Sequence, residues 1–119
     1  VRIPPVYAQE LKTFGLTHYN MYVSDGHAEY FGANNFKVEG KSAYKAKVVA
    51  DKADVTALKH TISIHQQGQT TYLTFTDQAA EAGVEKWRTS MEKMLVVYYD
   101  KKGNEILVEP IPDSKGYSR

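Results

Sequence analysis

The sequence predicts an α+β fold: internally duplicated helix–β–β–β units forming a roughly six-stranded, mainly antiparallel sheet with helices on one face. Three observations carry this. Apolar stretches of helical period close on glycine at Gly15, Gly68 and Gly83. Alternating stretches are separated by turn signals, Asp25-Gly26 and "DKKG". The chain also repeats its own pattern: Tyr7 to Gly15 aligns without gaps on Phe75 to Gly83, Leu16 on Val84 and Tyr19 on Trp87. Small shifts then bring Tyr30-Phe31 onto Tyr98-Tyr99, and Lys37-Val38-Glu39 onto Leu107-Val108-Glu109. Short hairpins favour antiparallel neighbours, so two such units merge most simply into one sheet about a pseudo-twofold.

Taken in order, "IPPVYAQELKTFG" reads as a helix, with Pro5 at a first helical position and Tyr7, Leu11 and Phe14 on one face. "THYNMYVSDGHAEYFG" reads as a hairpin whose Asp-Gly turn puts Val23 opposite Ala28, Met21 opposite Tyr30 and Tyr19 opposite Gly32. Tyr19, Met21, Val23, Ala28 and Tyr30 then share the core face. His18, Asn20, Tyr22, His27, Glu29 and Phe31 share the other. "FKVEG" is a third strand. Residues 40–53 are a lysine-rich connector.

Asp54 caps a helix over 54–68 that lines up Val55, Leu58, Ile62 and His65. Thr71 caps another, with Tyr72, Phe75, Ala79 and Ala82 as its stripe. The C-terminal third is strands. A turn at Glu92-Lys93 pairs Trp87 with Tyr98 and Thr89 with Val96. The "DKKG" turn puts Tyr98 beside Ile106 and Val96 beside Val108. The domain is single over 1–119: first repeat 1–39, connector 40–53, connecting helix 54–68, second repeat 69–112 and a loose tail 113–119.

Composition narrows the function classes. With 42% hydrophobic and 24% charged residues the chain has the balance of a folded domain. The absence of cysteine excludes a disulfide framework, thiol catalysis and Cys-based metal sites, and fits cytoplasmic residence. No run approaches the ~18 apolar residues of a membrane span, and no signal-peptide pattern opens the chain. Its start at Val1 rather than Met implies a few preceding native residues. A net charge of +1 argues against a nucleic-acid partner without excluding one.

"HQQGQTTYLTFTDQAAEAGVEKW" followed by "MEKMLVVYYDKKGNEILVEPIP" resembles the YdfO-like family of small bacterial, often prophage-borne proteins, sometimes labelled "phage envelope protein". The pattern rests on Gln67-Gly68, Tyr72, Phe75, Ala82-Gly83-Val84, Trp87, Tyr98, Gly103 and Glu109 to Pro112. The resemblance implies an α+β fold with repeated units. It implies no activity, cofactor or catalytic residue.

The chemistry-bearing residues point away from catalysis. His60 and His65 lie five apart on one helix, about 140° apart around it, so they cannot clamp one metal. His18 and His27 sit at opposite ends of the first hairpin and need a third ligand from elsewhere. Ser24, Asp25 and His27 have the side chains of a hydrolytic triad, but a base must reach the nucleophile while the acid orients it, which adjacent turn residues rarely do, and Asp-Gly is explained by the turn. No catalytic, cofactor-binding or metal-ligating residue is therefore assigned. The sheet face away from the helices is unexpectedly apolar at Tyr22, Phe31, Leu95, Val97, Tyr99 and Leu107. Three readings compete for it: cover by the chain's own connector or tail, a homodimer or other protein interface, or a ligand or single-stranded nucleic acid with Lys86, Arg88, Lys101 and Lys102 nearby. The expectation is a non-enzymatic binding or accessory protein acting by protein contact.

Overall fold

The computed structural model describes residues 12–111. In chain order the elements are strands β1 (Leu16–Tyr22), β2 (Ala28–Gly32) and β3 (Lys37–Glu39), then helices α1 (Val55–Gln66) and α2 (Tyr72–Glu81). Strands β4 (Lys86–Ser90), β5 (Leu95–Tyr99) and β6 (Glu105–Pro110) follow. The strands form one six-stranded sheet in the order β3-β2-β1-β4-β5-β6. Every neighbouring pair is antiparallel. The order is symmetric about the central β1–β4 pair. Most of the expected first helix, and the tail, lie outside the described residues. None of the described helices is long and apolar enough to cross a membrane.

Both helices begin where their caps were read. The Asp54 carboxylate accepts from Ala57 N at 3.0 Å and the Thr71 hydroxyl from Thr74 N at 3.1 Å. Each satisfies a donor that the first helical turn leaves unpaired. Leu58 and Ile62 of α1 and Phe75 and Ala79 of α2 are buried against Val23, Trp87, Val96 and Tyr98. Trp87 is central, with its ring edge-on to Phe75 at 5.7 Å and tilted against Tyr98 at 6.2 Å. The connector belongs to this same side. Val49 joins the core, Ala50 N bonds Ala80 O at 2.9 Å, and Tyr44 Oη donates to Val23 O at 2.6 Å. The connector therefore lies away from the opposite sheet face, which no described helix covers.

Two registers differ from expectation. In the first hairpin Met21 pairs with Ala28 and Tyr19 with Tyr30, a slip of two residues. Val23 is not opposite Ala28, because its amide bonds Glu85 O at 2.9 Å and its side chain is fully buried. A wider turn results, in which Gly26 at φ +76° has no room for a Cβ beside the Tyr44 ring. A slip of two preserves facing, so the two predicted faces survive. The last hairpin slips by one. Tyr99 pairs with Glu105 but Tyr98 pairs with Leu107, leaving Ile106 as the extra residue of a β-bulge. The bulge lets both Ile106 and Leu107 pack on the core. Leu107 therefore lies on the helix side, and its assignment to the outer face is corrected. Val108 takes the outer position opposite Val97 and is 49% exposed.

Candidate functional site on the open sheet face

Pairing arranges the open face in three rows across the strands. The middle row runs Glu39, Glu29, Asn20, Arg88, Val97, Val108. One flanking row runs Lys37, Phe31, His18, Ser90, Leu95, Pro110. The other runs from Tyr22 through Lys86 and Tyr99 to Glu105. Glu29 and Glu39 thus meet at β2–β3 beside Lys37; Arg88 and Lys86 lie at the centre; and Leu95, Val97 and Val108 lie at β5–β6 beside Glu105.

The middle row is hydrogen-bonded into one unit. Arg88 Nε donates to Asn20 Oδ1 at 2.9 Å, and Asn20 Nδ2 donates to Glu29 Oε1 at 3.3 Å. Tyr22 Oη donates to the same Glu29 oxygen at 2.9 Å. Burial and this bond push the Tyr22 phenol up to about 12. Burial works against the charged form of Glu29, but the bonds from Tyr22 and Asn20, aided by Lys37, outweigh it and hold the carboxyl below its usual value. Because Arg88 is tied through Nε alone, its terminal nitrogens have no other partner among the described residues.

Rings line both flanking rows. The Phe31 ring stacks on His18 at 4.5 Å and 10°. Burial first, then the Arg88 charge, hold the His18 imidazole below its usual pKa. Lys86 Nζ lies between the rings of Tyr22 and Tyr99, at 5.7 and 5.3 Å, and pairs with no carboxylate among the described residues. Over β4 and β5 the face dips into a groove of ≈ 320 Å³ lined by His18, Arg88, Ser90, Glu92, Lys93, Leu95, Val97, Tyr99 and Glu105, so two carboxylates share it with the cations.

Tyr22, Phe31, Leu95, Val97 and Tyr99 thus share this face, and Leu107 does not join them. The tyrosine pair is split as alternation requires. Tyr98 is fully buried, with its hydroxyl donating to Glu109 at 3.2 Å, whereas Tyr99 faces the groove. Residues 4–110 match the family described as "Protein of unknown function (DUF1398)". The chain belongs to that family. No curated protein matches it. In this DUF1398 chain the Arg88–Asn20 contact spans 68 residues, the spacing at which the sequence pattern was aligned on itself. That offset was the available signal for it, but it becomes a contact only once β1 pairs with β4.

The first turn brings two of the three triad-type residues together. His27 Nδ1 lies 2.6 Å from Asp25 Oδ1, so the two turn residues do reach each other. The second Asp25 oxygen accepts from Ser42 at 3.1 Å, not from Ser24. The far nitrogen, His27 Nε2, faces Glu39 at 3.8 Å. An oriented imidazole is present, with a carboxylate rather than a hydroxyl before it.

Proposed function

We propose that this DUF1398 protein is a non-enzymatic binding protein whose working surface is the open sheet face. Its partner is a small ligand carrying an anionic group beside an apolar moiety. The observation that carries this reading is the guanidinium of Arg88, held by Asn20 in a groove where Lys93 and His18 add to it and Leu95, Val97 and Tyr99 supply apolar surface beside Glu92 and Glu105. A preorganised guanidinium fork suits a carboxylate or phosphate. The groove is of the size that small ligands fill. NMR titration with a panel of nucleoside monophosphates and medium-chain carboxylates tests it. The expected result is amide shifts centred on β4 and β5 and reaching His18 and Glu105, lost in Arg88→Ala. Silence across the whole panel at millimolar concentration would count against it.

A second reading is a homodimer or protein contact through the same face. The exposed Val108 beside Val97 and Leu95 favours it, since these make a continuous apolar end to the sheet. Light scattering on wild type and Tyr99→Asp separates the two. A dimer that Tyr99→Asp splits supports protein contact, and a monomer in both supports the small ligand. The symmetric strand order also supports an origin of the fold by duplication.

A further inference from the structure

Three donor groups of different origin meet at the β2–β3 end of the open face. Glu29 and Glu39 are direct cross-strand partners. Two like charges so placed repel each other, and a cation between them converts that repulsion into attraction. His27 lies two residues before Glu29 and so on the same face. One ligand atom from each of His27, Glu29 and Glu39 lies within 4.8 Å of the other two. A single ion with bonds of about 2.0–2.2 Å to nitrogen and oxygen fits that spacing after small side-chain movements.

The imidazole is already oriented. Nδ1 faces Asp25 Oδ1 at 2.6 Å, and an Nδ1 proton donated there leaves Nε2, on the side of Glu39, as the nitrogen that can ligate a metal. Asp25 is itself held by the His27 amide at 3.0 Å and the Ser42 hydroxyl at 3.1 Å. The ring is clamped flat on Tyr22 at 4.4 Å and 4°. A carboxylate on the nitrogen that does not ligate, here Asp25 on Nδ1, is the usual outer support of a metal-ligating histidine. Glu29 is prepared in the same way. Tyr22 and Asn20 occupy its Oε1, while Oε2 has Lys37 at 3.8 Å, a half-exposed side chain that an ion can displace.

We propose that His27, Glu29 and Glu39 bind a divalent transition-metal ion, with Asp25 as the positioning carboxylate. One nitrogen and two carboxylate donors suit an intermediate ion such as Zn²⁺ or Mn²⁺ better than an all-oxygen ion such as Mg²⁺. Three protein ligands leave coordination positions open to water or to an oxygen of a bound molecule. The site does not depend on the groove reading, because none of its ligands lines that groove.

Isothermal titration with Zn²⁺ on the purified chain tests it, with Mg²⁺ as control and amide spectra to locate the ion. The expected result is one Zn²⁺ per chain, shifts centred on residues 25–29 and 37–42, and little response to Mg²⁺. Glu39→Gln is exposed and should fold normally, yet should weaken Zn²⁺ by more than the roughly ten- to hundredfold cost of losing an outer-shell partner. Asp25→Asn should fall within that range. Unchanged Zn²⁺ affinity in folded Glu39→Gln would overturn the site, as would shifts centred on His60 and His65.

Discussion

Gly83 holds φ +85° just past the end of α2, and a Cβ built there falls 2.7 Å from Lys52 O and 2.8 Å from Ala53 Cα. Gly68 has a similar φ of +78° with nothing within 4 Å. Both were legible as helix stops, but the chain crossing over Gly83 was not. Gly68→Ala should cost about 1–2 kcal/mol, the left-handed penalty alone. Gly83→Ala should cost more, and denaturant titration of both variants isolates the clash. His18 makes a second prediction at this scale. Its folded pKa lies below that of the unfolded chain, so the unfolded state protonates first as pH falls. Stability should therefore drop below about pH 6.5 and level off once the folded His18 protonates. His65 is shifted the same way, chiefly by burial. Thermal midpoints between pH 7.5 and 5.5 should fall less in His18→Gln than in wild type.

At the scale of elements, caps and alternation were readable because they are local. Asp54 and Thr71 are each satisfied within three residues, so no tertiary contact is needed to recognise them. Asp54→Ala should cost about 0.5–2 kcal/mol by thermal or chemical unfolding. The bulge at Ile106 was not readable. An ideal register after the "DKKG" turn pairs Tyr98 with Ile106, whereas the fold gains burial for two consecutive apolar residues by adding one. That choice decides the mutational response. Leu107→Asp should destabilise the protein strongly, since it forces an unpaired charge onto the core side. Val108→Asp should fold close to normally. Should Val108→Asp prove the more damaging of the two, the bulge would be misplaced. The connector shows the same limit. It has no period and was legible only as a linker, yet it is pinned through Ala50 to α2 and through Tyr44 to the first turn.

Over the whole molecule, pairing β1 with β4 creates the candidate surface. Asn20 and Arg88 come from opposite halves of the chain, and neither strand alone makes the row that joins them to Glu29. Of the six residues expected on the outer face, five are there, because strand parity is set by sequence neighbours. The sixth, Leu107, failed because parity holds only while the strand stays regular. The Asp25–His27 contact was not legible for the converse reason. A wide turn, opened when Val23 was drawn to β4, folds Asp25 back onto the ring. By itself the sequence determined the helix ends, the alternation of the strands and which tyrosine of the Tyr98-Tyr99 pair is buried, since each follows from the covalent period of the backbone. Only the tertiary structure decided the registers, the bulge and the meeting of His27, Glu29 and Glu39, because these depend on which burial wins when distant segments compete for the same core.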